Sequence, residues 1–198
     1  QRADGFVSFM DLGPTLLHLA GISIPEGIEG TPFLGKDISL EQLNDRDEVY
    51  GYGDRFDELY AFNRTVRKGK FKYSRNFQPY HPKSLYAFYR YKQAAFREWK
   101  DLYVKGILNE TQRRFFEPQG AEELYDLSLD PYETKNLATD PAYRSTLKDL
   151  RILLKEKLLE ENDLGFYPEC VWLEQGEQNP TSFGKKNKDN IKKYSDIA

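Results

Sequence analysis

Residues 123–141 read Glu123-Leu-Tyr-Asp-Leu-Ser-Leu-Asp-Pro-Tyr-Glu-Thr-Lys-Asn-Leu-Ala-Thr-Asp-Pro141 and organise the second half of this chain. Apolar and polar side chains mix over Glu123–Leu127 at the short spacing of an amphipathic strand. Asp130-Pro131 ends that strand, because proline disfavours helical geometry in the residue before it. The dipeptide recurs at Asp140-Pro141, where aspartate can cap a helix and proline can occupy its first position. The stretch therefore predicts a strand, a turn and a helix start.

The residues before this stretch predict further strands of a sheet, and the residues after it predict a helix that covers the sheet. Apolar side chains after Pro141 recur at spacings typical of one helix face running to Glu161: Tyr143, Leu147, Leu150, Leu154 and Leu158. Upstream, Glu48–Gly53 reads as a strand, and Phe62–Arg67 and Lys70–Arg75 form a hairpin that turns at Lys68-Gly69. We therefore predict an α+β fold in which a small four-stranded antiparallel sheet is packed by a long C-terminal helix.

Three further helices are predicted from capping and stop signals. The first covers Leu12–Ala20, with Asp11 as its cap and Gly21 as its stop. The second covers Leu85–Lys105, between Ser84 and Gly106. Asn109 and Gln112 form a capping pair for a short helix that ends at Phe116.

The stretch from Glu123 to Pro141 resembles the C-terminal signature of the type I, formylglycine-dependent sulfatases of the alkaline phosphatase-like superfamily. Ser8–Gly21 is similar to the last helix of the large sulfatase domain, and Gly30-Thr-Pro-Phe-Leu34 to the loop that follows it. Asn63-Arg-Thr-Val-Arg-Lys-Gly-Lys-Phe-Lys-Tyr73 is similar to a hairpin of the same family. Residues 62–80, with Asn76-Phe-Gln-Pro79, and residues 120–175 resemble the heparan N-sulfatases (sulfamidases) in particular.

The resemblance implies a C-terminal fragment of a sulfuric ester or sulfamate hydrolase, which completes the substrate cleft and is inactive alone. Residues 1–36 would be the tail end of the large α/β domain, and residues 45–165 the C-terminal subdomain. Residues 166–198 would be a tail leading into a further domain. The chain opens with Gln1 and carries neither an initiator methionine nor a signal peptide, so we expect it to be part of a longer protein.

The chemistry that the family uses is expected outside these residues. Type I sulfatases convert a Cys or Ser in a Cys/Ser-x-Pro/Ala-x-Arg sequence to formylglycine, and they hold calcium with Asp and Asn side chains. The segment Cys170-Val-Trp-Leu-Glu174 does not fit that sequence, and no serine does. We therefore expect no catalytic residue and no metal ligand in this chain. Calcium and formylglycine are implied for the full-length parent only.

One charged segment is the candidate substrate site. Gly53-Asp-Arg-Phe-Asp-Glu58 places three acids and an arginine in a predicted loop between two strands, without apolar periodicity. Here Arg55 would clamp a sulfate or carboxylate, while Asp54, Asp57 and Glu58 would bind sugar hydroxyls. His81, in the loop after the hairpin, is a further candidate for substrate contact. The alternative is a solvated charged loop with weak internal ion pairs.

The charge distribution supports a second interpretation. The net charge is −3, yet Arg64–Lys105 contains twelve Lys and Arg residues, two acids and eleven aromatic residues. Such a basic block suits a polyanion, so the rival hypothesis is a non-catalytic polyanion- or glycosaminoglycan-binding module. For a sulfatase, the implied partners are the large N-terminal domain and a sulfated carbohydrate, with neither nucleic acid nor a membrane.

Composition limits the remaining possibilities. The chain is 39% hydrophobic and 31% charged, which is typical of a globular protein, and no apolar run approaches the roughly 18–20 residues of a membrane span. Cys170 is the single cysteine, so an internal disulfide is excluded and the compartment is undetermined. A parent with a signal peptide would be periplasmic, secreted or lysosomal.

Overall fold

The computed structural model describes residues 2–56, 58–176 and 179–198. The chain divides into two compact units, Gln1–Tyr50 with Arg67–Lys70, and Gly51–Val66 with Phe71–Ala198. The domain boundaries at residues 36, 45 and 165 stay predictions.

The sheet confirms the α+β prediction. Its four strands lie in the order β1-β2-β3-β4, and they are β1 (Glu48–Phe56), β2 (Leu59–Lys68), β3 (Phe71–Asn76) and β4 (Glu122–Asp126). β3 and β4 pair antiparallel, with Tyr73 opposite Leu124. The predicted hairpin is therefore the β2–β3 pair. The first strand runs three residues further than expected, so Asp54 and Arg55 belong to β1 and not to a loop.

The helices are α1 to α9, in chain order. Their bounds are α1 (Leu12–Leu19), α2 (Leu40–Asn44), α3 (Phe88–Lys92), α4 (Ala94–Val104), α5 (Glu110–Arg113), α6 (Arg144–Glu160), α7 (Glu169–Gly176), α8 (Pro180–Lys186) and α9 (Lys188–Ile197). None of the described helices is long and apolar enough to cross a bilayer.

The core of the second unit lies between the sheet and α6. Leu147, Leu150 and Leu154 of α6 are buried, as the helical spacing predicted, and α6 packs against β3 and α9. Val66 and Leu124 from the sheet are fully buried. The tail adds to this core, because Phe183 of α8 and Ile191 of α9 are also buried.

Polar residues of the 123–141 stretch hold its own backbone in place. Asn136 accepts the backbone N–H of Leu124 at 2.9 Å and donates to the carbonyl of Glu122 at 2.9 Å, so its amide pairs with the edge of β4. Asp130 accepts the N–H of Lys135 at 2.7 Å and closes the turn. Asp140 caps the next turn through the N–H of Ala142 at 2.9 Å. The motif is therefore a folding element.

Two predicted helices differ from the structure. The Leu85–Lys105 helix is broken at Gln93, whose ψ of 129° is extended, and Ser84 does not cap it. The Arg97 guanidinium donates to the carbonyls of Tyr91 and Lys92, and so satisfies the end of α3 without a continuous helix. Asp11 is the N-cap residue of α1 as predicted, but its side chain makes no capping hydrogen bond to that helix; Ser8 caps the short 3-10 turn that precedes it.

Asp11 is buried and holds the loop that follows α1. Its carboxylate accepts the backbone N–H groups of Ser8 at 2.9 Å and Thr31 at 2.8 Å. Gly30 in this loop has a φ of +97°, and a Cβ atom there would lie 2.4 Å from the carbonyl oxygen of Met10. The Gly30-Thr31 sequence is therefore needed for the loop to return against α1.

Candidate functional site

A cleft of about 560 Å³ opens in the second unit, between the ends of β1 and β2 and the segment 76–90. This volume falls in the range of small-molecule sites, and is enough for one or two sugar residues. Its lining includes cationic, amide and aromatic side chains, together with one carboxylate and several aliphatic residues. A cleft with these groups can bind a polar, negatively charged ligand through hydrogen bonds and ring contacts.

The structure brings three of the five predicted site residues to this cleft. Asp54, Arg55 and His81 line it, although His81 is 26 positions from Arg55 in the sequence. Glu58 is not part of the lining, and its carboxylate accepts the N–H of Phe88 at 3.4 Å. Asp57 lies outside the described residues.

Arg55 has an ion-pair partner that the sequence did not indicate. Its Nη2 lies 3.1 Å from Oε2 of Glu169 at the start of α7, and both side chains are at least half exposed. The guanidinium also lies 5.9 Å from the ring centroid of Tyr60. Exposed pairs of this kind contribute about 0–1 kcal/mol, so an anionic ligand can displace Glu169 at low cost.

Asp54 takes part in a partly buried ion-pair network, and its contact with a sugar hydroxyl stays a prediction. Arg64 donates to Asp54 Oδ1 at 2.9 Å and to Asp163 at 2.5 and 2.8 Å, and its side chain is only 5% exposed. Burial by itself would lower the pKa of Arg64, but the hydrogen bonds to Asp163 and Asp54 raise it. Both oxygens of Asp54 face this guanidinium, so the residue shapes the cleft wall first and has only its remaining lone pairs for a sugar hydroxyl.

Sequence reasoning missed several cleft residues. Asn63 and Gln78 contribute amides, and Tyr52 and Tyr60 contribute rings. Gln78 Oε1 is buried and has no hydrogen-bond partner among the described residues. Gln78 stands three positions before His81, so its proximity in sequence to that candidate was the available signal.

The described part of the chain contains no cluster of metal-ligating side chains. Across residues 2–56, 58–176 and 179–198, no group of three or more His, Cys, Asp or Glu side chains could hold an ion. Cys170 is an exposed free thiol on α7. His18 pairs through Nε2 with Asp37 Oδ1 at 2.8 Å in the first unit. The side chains described here therefore do not fit calcium.

Comparison with known proteins settles the family. No family model matches the chain. It is 37% identical over 164 residues to an ulvan-active sulfatase of Formosa agariphila, which covers 82% of this chain. It is 30% identical over 157 residues to a Δ4,5-hexuronate-2-O-sulfatase of Bacteroides thetaiotaomicron, which covers 78% of it. The chain belongs to the sulfatase family.

This sulfatase region spans about a quarter of the length of its relatives, 27% of the first and 24% of the second, and corresponds to a C-terminal region. A solved 2-O GAG sulfatase is 24% identical to this chain and superposes with a TM-score of 0.47. The match covers 78% of this chain and 25% of the solved sulfatase.

Proposed function

We propose that this region forms one wall of the substrate cleft of a larger sulfatase that acts on a sulfated, uronate-containing polysaccharide. The observation that carries the proposal is the meeting of Arg55, His81 and the amide and aromatic side chains in one open cleft. The names of two relatives, an ulvan-active sulfatase and a hexuronate-2-O-sulfatase, support the substrate class.

The reacting groups belong to the rest of the protein in this proposal. A formylglycine nucleophile and a calcium ion would be supplied by the large domain, because the described side chains provide neither. The region binds and orients the saccharide, and alone it is inactive. Arg55 contributes a planar, always-charged donor pair that matches sulfate or carboxylate geometry.

The partner of this region would be that large domain, and α1 offers a surface for it. Phe9, Leu12, Leu16 and Leu19 fall at spacings of three and four residues, so they form one apolar stripe. All four are exposed, Phe9 by 89% and Leu16 by 68%. An exposed helix face of this kind marks a contact with another protein surface.

The test is substitution of Arg55 in the full-length sulfatase. Arg55→Ala should raise KM for the polysaccharide about tenfold, since a hydrogen bond to a charged group contributes roughly 1.5–3 kcal/mol and part is offset by release of Glu169. A small aryl sulfate should be turned over as before, because it presents only the group held by the large domain. The 198-residue chain alone should turn over neither substrate.

Two further variants make the result specific. Arg55→Lys keeps the charge and loses the forked geometry, so it should recover only part of the affinity. Glu169→Gln removes the competing carboxylate and should not raise KM. Equal losses on both substrates would indicate a folding defect, and no loss on either would place Arg55 outside the substrate path.

The rival polyanion-binding module has less support. Several cations of the basic block are already paired: Arg64 with Asp54 and Asp163, Lys68 with Glu48, and Lys72 with Glu133. Their charge is therefore largely compensated within the fold.

A further inference from the structure

We propose that Tyr80 and Lys83 form a second saccharide subsite at the outer rim of the cleft, which binds the neighbouring, negatively charged sugar residues of the polymer. This inference rests on the proposed function and extends it from one bound sugar to a longer chain.

The rim begins with an exposed ring next to the cleft. Tyr80 is 65% exposed. The Tyr80 ring lies 4.4 Å from the ring of His81, which lines the cleft, so the aromatic surface continues from the cleft to the rim. Tyrosine provides a flat apolar face for the C–H side of a sugar ring and a hydroxyl for its polar edge.

The charge of this segment selects an acidic ligand. Residues 80–92 contain Lys83, Arg90 and Lys92 and no Asp or Glu. Lys83 lines the cleft with its side chain 54% exposed, and its Nζ is 4.0 Å from the carboxylate of Glu123. Because the Lys83 ammonium group is partly exposed and its contact with Glu123 is long, it can also pair with a carboxylate or sulfate of the next sugar residue.

The rim is held in place before any ligand arrives. Arg90 donates to the carbonyl of Lys83 at 2.6 Å, the Tyr91 hydroxyl donates to that of Ser84 at 3.1 Å, and Gln119 donates to that of His81 at 3.0 Å. The Tyr86 ring stacks on that of Tyr91 with a centroid distance of 5.5 Å and an interplanar angle of 2°. Because these hydrogen bonds order the backbone in advance, binding loses less conformational entropy. The hydrogen bonds and the Tyr86–Tyr91 contact hold the shape of the segment, and the Tyr80 ring stays largely exposed on it.

The experiment compares short and long substrates in the full-length sulfatase. The probes are a disaccharide and a hexasaccharide from ulvan, a matching pair from a glycosaminoglycan, and an aryl sulfate. Tyr80→Ala should raise KM for the hexasaccharide about five- to tenfold, the range expected for one aromatic contact, and leave the disaccharide and aryl sulfate unchanged. Tyr80→Phe keeps the ring and should retain most of the affinity. Tyr132→Ala, at a tyrosine that is 86% exposed and away from the cleft, is the matched control and should change nothing.

Charge is tested separately. Lys83→Gln should raise KM for the hexasaccharide and weaken its dependence on salt, because one screened ion pair is lost.

The outcomes separate this subsite from the proposed cleft. If Arg55→Ala impairs the hexasaccharide and Tyr80→Ala does not, the rim subsite is wrong and the cleft stands. If neither variant changes KM, both are wrong. If Tyr80→Ala lowers the melting temperature and reduces activity equally on all substrates, the ring contacts the large domain and is not part of a subsite. If neither the ulvan pair nor the glycosaminoglycan pair is turned over, the proposed substrate class is wrong.

Discussion

At the scale of single residues, Arg64 connects separate segments around the candidate site. It holds Asp54 of β1 and Asp163 of the segment after α6 in one partly buried network. Gly165 makes room for it, because a Cβ atom at that position would lie 2.2 Å from Nη2 of Arg64. Asp163 also accepts the N–H of Gly165 at 2.8 Å. The cleft wall and the start of the tail are therefore joined through one guanidinium.

A second network, around Glu122, predicts how stability depends on pH. Its carboxylate accepts the Tyr73 hydroxyl at 2.6 Å and both Nε and Nη2 of Arg151. Burial alone would raise the pKa of Glu122, but the hydrogen bonds from Arg151 and Tyr73 lower it below its ordinary value of 4.5. A carboxyl group whose pKa is lowered on folding adds stability above its unfolded pKa and loses it as the pH falls through the folded pKa.

We therefore expect Glu122→Gln to lower the free energy of unfolding at pH 7, and the difference from the parent chain to shrink below pH 4.5. Urea unfolding at a series of pH values measures this. Glu156→Gln, at an exposed position of α6, is the control and should show little difference at any pH. A Glu122→Gln difference that stays constant down to pH 2 would contradict the assigned network.

At the scale of elements, the predicted hairpin, β4 and α6 are present, because each depends on spacing within one short segment. The Leu85–Lys105 helix is different. Its sequence has no proline or glycine to mark the break at Gln93, and the break is stabilised by Arg97 and by the packing of Phe96 and Trp99 around Phe115. The Trp99 and Phe115 rings stack at a centroid distance of 4.5 Å. The spacing of apolar residues within one helix cannot reveal such a contact with a separate segment.

The packing of α6 gives a prediction with an internal control. Leu150 is 4% exposed and Ile152, on the same helix, is 47% exposed. Leu150→Asp would bury an unpaired carboxylate and should destabilise the chain by about 4 kcal/mol or more. Ile152→Asp should cost about 1 kcal/mol or less, because its carboxylate remains solvated. Thermal and urea unfolding of the two variants would show whether α6 packs by the face that contains Leu150. Similar losses of stability in the two variants would contradict this packing.

At the scale of the whole molecule, the first unit leaves the α1 stripe of Phe9, Leu12, Leu16 and Leu19 uncovered among the described residues. If the large domain covers it, Leu16→Ser should make the 198-residue chain more soluble, while lowering the stability of the full-length sulfatase by roughly 2–5 kcal/mol. Tyr132→Ser is the control, because that ring is 86% exposed outside the stripe. Light scattering of the short chain and unfolding of the full-length protein provide the two readouts. Unchanged stability of the full-length protein would show that α1 faces solvent.

The sequence by itself determined the features that depend on neighbouring residues: the hairpin, the polar turns of residues 123–141, the apolar face of α6 and the family to which they belong. These follow from local hydrogen bonds and side-chain periodicity, which are readable over a few residues. The structure alone decided how the site is assembled. Arg64 and Asp163 are 99 positions apart, and Arg55 meets Glu169 across a similar separation. Asp54, predicted to bind a sugar hydroxyl, also accepts hydrogen bonds from Arg64. Pairing between distant charges depends on where the folded chain places them and how far it shields them from water, and no local spacing records either quantity.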